Sequence, residues 1–248
     1  MDYQQSVAMA PAGWTHFRIG DLDRLPPAVK AREMARVPAF EREQLANGDS
    51  DAIQRLLRAS FWTFVYHLEP DLWDRLSRAE PIRPELLAAL PETVRRALDV
   101  GAGSGRLTEH LLGRSRQVVA VEPSLALAGF LHQRLPAATV VAGWAEALPV
   151  RDRSFQLTAA AGSFGPDPAV LQELHRVTEV GGVIALISPE SPEWFEARGW
   201  QRLSAPHGTA PPHEPWIDAF FGPPEPLHEL VMTRVTAPSS GTYRSEDA

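Results

Sequence analysis

The stretch Ala97-Leu98-Asp99-Val100-Gly101-Ala102-Gly103-Ser104-Gly105-Arg106-Leu107-Thr108 constrains this chain more than any other, because it leads an apolar segment into an amphipathic one through three alternating glycines. A strand that becomes a helix across so short a turn belongs to a parallel sheet covered by helices. Glycines there let backbone approach a ligand closely at a helix N-terminus, in the crevice beyond the strand ends. A nucleotide-like ligand is the expected occupant. The dinucleotide fingerprint places its third glycine three positions after the second, whereas Arg106 stands there and Gly105 comes one place earlier. That register departs from a pyrophosphate binder.

The surrounding chain repeats the same alternation. Apolar runs at 97–100, 117–121, 139–142, 155–161 and 183–188 predict strands, with helices between them at 106–112, 124–134 and 168–178. Asp167 as cap, Pro168 in the first turn and Gly181-Gly182 beyond the end delimit the last of these helices. Farther on, a helix is expected at 193–198, a strand at 201–204, a loop over 205–226 and a strand at 230–236. Toward the N-terminus, prolines at 11, 26, 27 and 38 suggest an extended arm with one short helix at 29–36. From Asp49 a single helix is predicted, its stripe formed by Ile53, Leu56, Leu57, Phe61, Phe64 and Leu68. Shorter helices follow at 71–79 and 84–90.

Composition excludes several function classes. With 24 basic and 31 acidic residues the formal net charge is −7, which gives no general attraction to phosphate backbones or anionic lipid, so neither nucleic acid nor membrane is an expected partner. The absence of Cys removes disulfides, thiolate metal sites and cysteine nucleophiles. No uncharged apolar run reaches the roughly 18–20 residues of a membrane helix, and the start lacks a basic segment followed by an apolar one, so a cytoplasmic protein, monomer or homodimer, is expected.

The glycine loop resembles motif I of the class I S-adenosylmethionine-dependent methyltransferases, small-molecule branch. Supporting motifs are Val119-Ala120-Val121-Glu122-Pro123-Ser124, then Gly143-Trp144-Ala145-Glu146-Ala147-Leu148-Pro149, Asp152-Arg153-Ser154-Phe155, Gly165-Pro166-Asp167-Pro168 and Glu179-Val180-Gly181-Gly182. The resemblance covers about residues 90–190. It implies a Rossmann-like, doubly wound, mostly parallel seven-stranded sheet at 91–240, an N-terminal arm and helical lid at 1–90, and a disordered tail at 241–248. S-adenosylmethionine, with S-adenosylhomocysteine as product, is the implied cofactor. Its implied contacts are Asp99, Gly101, Ala102, Gly103, Glu122, Pro123, Trp144, Ala145, Glu146 and Ala161, with Glu122 accepting the ribose hydroxyls.

Two departures qualify the resemblance. Trp144 stands where the family usually carries an Asp for the adenine amino group, leaving that role to stacking, backbone or Glu146. Gln156 stands where Asp commonly precedes the fourth strand. That strand ends in Ala159-Ala160-Ala161-Gly162-Ser163-Phe164 and lacks the Asn/Asp-Pro-Pro-aromatic signature that holds a planar amino group, which favours a small-molecule acceptor over a flipped base. The departures keep a second reading open, a cofactor-binding sensor or accessory protein. Among the histidines, His67, His207 and His213 are weak candidates for a general base. His207 and His213 read as too isolated for a metal site, and none is expected.

Overall fold

A computed structural model describes residues 2–237. The first part of the chain is helical: α1 (Tyr3–Ala8), α2 (Pro27–Arg36), α3 (Ala39–Ala46), α4 (Ser50–Ala59), α5 (Phe61–Leu68), α6 (Pro70–Ala79) and α7 (Pro84–Ala89), with 3₁₀ turns at Ala12–His16 and Ile19–Arg24. The expected extended arm is therefore corrected. Its prolines open helices instead of interrupting them, since Pro27 fills a first-turn position whose missing N–H costs nothing. The predicted single helix over 49–68 is likewise corrected to two. The chain turns at Ser60, with φ −93° and ψ 4°. Phe61, Phe64 and Val65, all fully buried, then pack round Phe17, whose ring lies 5.0 Å from that of Phe64.

The sheet follows as β1 (Val94–Val100), α8 (Arg106–Leu112), β2 (Ser115–Glu122), α9 (Leu125–Arg134), β3 (Thr139–Ala142), β4 (Phe155–Ala161), α10 (Pro168–Val177), β5 (Thr178–Ile187), α11 (Pro192–Glu196), β6 (Gln201–Ser204), α12 (Pro215–Phe221) and β7 (Glu229–Arg234). The strand order is β3-β2-β1-β4-β5-β7-β6, parallel except for β7, which runs antiparallel to β5 and β6. The doubly wound seven-stranded reading holds. Two details differ from expectation. Gly181 and Gly182 lie inside β5, where Gly181 takes φ +82° at an irregularity in its pairing with β4. The loop expected over 205–226 contains α12, which Pro215 starts and Gly222 ends at φ +93°. The expected tail at 241–248 lies outside the described residues.

Alternation along each strand sends side chains to two cores. Ala97, Ala120, Leu157, Ala185 and Ile187 face α7, α8 and α9, whereas Leu98, Val100, Val121, Ala160 and Leu186 face α10 and Phe195. Phe155, fully buried in the second core, carries the Arg96 guanidinium 4.9 Å from its ring centroid. Phe155→Ala is expected to lower unfolding free energy by about 3–5 kcal/mol in urea denaturation, the range for an emptied aromatic core position.

Candidate active site at the carboxyl rim of the sheet

Because the parallel strands end together, their following loops form one rim, the ligand-binding edge of open α/β sheets. At the end of β1, Gly101 and Gly103 take φ +69° and +56°, conformations that exclude ordinary side chains. A Cβ at Gly103 would lie 2.8 Å from Trp73 Nε1. The loop is tied to its neighbour, since Gly101 N–H donates to Val121 O at 2.9 Å.

Two buried carboxylates stand behind this loop. Glu122, at the end of β2, accepts Gly103 N–H on Oε2 and Ser124 N–H on Oε1, both at 2.8 Å. Each oxygen keeps a further lone pair, so these bonds orient the group without exhausting it. Asp99 accepts Thr108 Oγ1–H on Oδ2 at 2.6 Å, whereas its Oδ1 is buried without any hydrogen-bond partner. Burial pushes the Asp99 carboxyl up to about 7, against the opposing pull of the Thr108 hydroxyl and the Arg106 charge. Burial also raises Glu122 to about 7, the two backbone donors opposing it and Asp99 adding a smaller upward push. Buried acids held so far from their ordinary range mark a functional site more often than a structural one.

Helix α6 packs over this loop. Trp73 and Ser77 of α6 join Asp99, Gly101, Gly103, Arg106 and Ala161 around a cavity of about 20 Å³. Ser77 Oγ lies 3.2 Å from Ser104 Oγ. Ser124 donates its hydroxyl to Tyr66 O of α5, and the Tyr66 ring meets Trp73 edge-on at 4.9 Å. Burial and the nearby Glu122 and Glu80 charges hold the Tyr66 hydroxyl well above its ordinary range. Arg106 donates to Glu80 O at 2.9 Å and reaches its carboxylate at 3.4 Å.

The expected residues thus divide. Asp99, Gly101, Ala102, Gly103 and Ala161 line the cavity. Glu122 abuts it through Gly103, and Pro123 continues the chain from it. Trp144, Ala145 and Glu146, past β3, form a second group: the Arg32 guanidinium of α2 lies 4.3 Å from the Trp144 ring centroid and is also ion-paired with Glu146. One Trp144 face is therefore covered by the lid. None of the three candidate histidines lines the cavity. His67 has Glu33 as its main neighbouring charge, and burial lowers its pKa. His213 bonds Pro211 O and Asp218 Oδ1, both at 2.8 Å. His207, read from sequence as isolated, lies beside His228 with ring centroids 4.1 Å apart and the planes tilted by 45°. Ser77 was not legible as a site residue, because the N-terminal helices carry no motif and its placement depends on packing. Gln156 belongs to the opposite end of the sheet. Its amide joins Arg96 N–H to Glu179, so its departure from the family pattern is structural.

Part of this chain is similar to known proteins. Residues 97–182 match a methyltransferase domain family. An uncharacterized methyltransferase of Mycobacterium tuberculosis is 38% identical over 100 residues, 40% of this chain and 41% of that protein. A malonyl-[acyl-carrier protein] O-methyltransferase of Halorhodospira halophila is 35% identical over 162 residues, 58% of this chain and 52% of the relative. The chain therefore spans about two fifths to one half of the length of these relatives. A SAM-dependent methyltransferase structure from Thermotoga maritima superposes with a TM-score of 0.45 at 19% identity, covering 72% of this chain and 95% of the other. Among the described residues no helix is long and apolar enough to cross a membrane.

Proposed function

We propose, from the premise that this chain carries a class I methyltransferase domain, that its rim binds S-adenosylmethionine and passes the methyl group to a small-molecule acceptor. The observation that carries this reading is the buried, unpartnered Asp99 Oδ1 beside glycines with no room for side chains. A carboxylate with one spare oxygen in such a cradle fits the ammonium end of an amino acid. Glu122, oriented by two backbone donors with lone pairs remaining, fits a pair of ribose hydroxyls. Trp144 with Ala145 and Glu146 supplies a flat surface past β3 for a planar base.

When bound, S-adenosylmethionine supplies an already electrophilic methyl group, so the chain's own contribution is alignment and water exclusion. Proximity of this kind is worth roughly 7–11 kcal/mol of barrier, and a positioned base adds only about 10²–10⁴-fold. The lack of a histidine at the cavity therefore does not oppose the reading. Trp73 and Tyr66 close the loop from the lid side, and an aromatic face there favours a cation. Support for a small acceptor comes from the end of β4 and the net charge of −7.

Ligand pockets for molecules of this size occupy about 300–1,000 Å³, far above the 20 Å³ beside the loop. The α5–α6 segment must then withdraw before a cofactor enters. This closure also favours the second reading, a binding protein that does not methylate. Calorimetric titration with S-adenosylmethionine and S-adenosylhomocysteine tests the first step, and micromolar affinity for both is expected. Tryptophan fluorescence should change on addition of S-adenosylhomocysteine, and Trp73→Phe should remove most of that change. Transfer of labelled methyl into low-mass products of a fractionated extract supports the transferase, whereas tight binding without transfer supports the sensor.

A further inference from the structure

Beyond the glycine loop, the same rim carries a second cluster with its own chemistry. The register Leu230↔Ile187 and Ser204↔Glu229 brings the end of β6 and the start of β7 to the carboxyl end of β5. The connections there place His207, Glu225 and His228 so that one ligating atom from each lies within 4.8 Å of the other two. We infer that these three side chains form a binding site for a divalent transition-metal ion of the zinc class.

The donor set selects the ion. Two imidazoles and one carboxylate suit borderline cations such as Zn²⁺, Co²⁺ or Ni²⁺, whereas Mg²⁺ and Ca²⁺ favour oxygen ligands. The backbone sets the tautomer of His228. Its Nδ1 lies 3.2 Å from Pro226 O, and since a carbonyl only accepts, that nitrogen carries the proton and Nε2 keeps its lone pair. A backbone carbonyl holding the far nitrogen of a ligating imidazole is the usual supporting arrangement at metal sites. Tetrahedral bonds of about 2.0–2.1 Å put ligand atoms about 3.4 Å apart, so from separations within 4.8 Å the cluster has to contract by up to about 1.4 Å. His207 and Glu225 are exposed and on connecting segments, where such an adjustment meets little packing. Three protein ligands at an exposed position leave a coordination site for water or another small ligand.

The segment bearing Glu225 is fixed on its other side. Leu227 N–H donates to Pro81 O at 2.9 Å and Arg83 N–H to Leu227 O at 3.0 Å, so the segment runs beside the link between α6 and α7. The Glu225 and Glu80 carboxylates also lie near enough to repel each other, and Glu80 in turn meets Arg106. An ion there would tie His207, and with it the connection from β6 to β7, to the hinge of the lid.

The test is equilibrium dialysis of the full chain against Zn²⁺ after chelator treatment, with Co²⁺ absorption as a second readout. One equivalent per chain is expected, with a visible Co²⁺ band of low-symmetry coordination. His207→Ala and His228→Ala should each weaken binding at least about 10-fold and remove the band, while His213→Ala keeps both. Circular dichroism in chelator establishes that each variant is folded. Should a histidine variant unfold, Glu225→Gln at an exposed position serves instead, with the same weakening expected. Hydrogen exchange across residues 205–228 should slow on adding Zn²⁺. Binding below about 0.2 equivalent, or the same affinity in the parent and in all folded variants of the three residues, overturns the inference.

Discussion

Glu122→Ala is expected to lower the affinity for S-adenosylmethionine and S-adenosylhomocysteine at least about 100-fold by calorimetry, and to cost about 1–3 kcal/mol of stability in urea denaturation. Both effects follow from one geometry. The carboxylate holds Gly103 N–H and Ser124 N–H at 2.8 Å, so its removal leaves two buried donors unpaired and releases the loop that shapes the cavity. It also removes the acceptor proposed for the ribose hydroxyls, and loss of a charged hydrogen-bond partner to a ligand is worth about 1.5–3 kcal/mol. Glu122→Gln separates the two contributions. Its single amide oxygen can serve one backbone donor but not both, so it should retain more stability than Ala while affinity still falls. Unchanged affinity in both variants, with the fold intact, would remove the ligand from this rim.

Much of this geometry was legible in advance, and the part that was not has an identifiable cause. The register of Gly101, Gly103 and Gly105 anticipated a tight turn from strand to helix, and all three take positive φ. Seven strands were anticipated, and for β1, β2, β4 and β5 the reason is that a strand buried on both faces has little sequence freedom, which does not apply to the exposed β6. The N-terminal segment differs from the expected arm because Pro27 and Pro38 stand at helix starts, where proline is compatible with a helix. Pro38 occupies the N-cap position of α3, and Pro27 stands in the first turn of α2. Local sequence does not separate that use from an extended arm. Trp73 and Ser77 reach Gly103 and Ser104 only because α6 packs across the rim, a relation set by tertiary contacts. His207 and His228 are 21 positions apart and meet only through the β6–β7 register. The glycine motif reports a backbone constraint, which is local, and the lid and the histidine pair report assembly, which is not.

The second large effect concerns Asp99. Its folded pKa of about 7 lies above the ordinary carboxylate value of 3.8, with burial as the main cause. A raised acid pKa means that the folded chain holds a proton which the unfolded chain releases. The Asp99 contribution to stability is therefore most favourable near and below pH 4, falls as pH rises toward 7, and levels off above it. A shift of about three units corresponds to roughly 4 kcal/mol at 1.36 kcal/mol per unit. Asp99→Asn keeps an acceptor for Thr108 but cannot ionise, so it should be more stable than the parent by about 2–4 kcal/mol at pH 8 and close to it at pH 4.5. Urea denaturation at the two values checks the crossing. Ligand binding should move the other way. An ammonium group beside Oδ1 favours the carboxylate, so parent affinity should rise about tenfold per pH unit up to roughly 7 and then flatten, with a proton released on binding. Asp99→Asn should lose both the pH dependence and most of the affinity. A side chain whose removal stabilises the fold while abolishing binding is retained for its ligand, and the opposite signs of the two effects distinguish that role from a structural one.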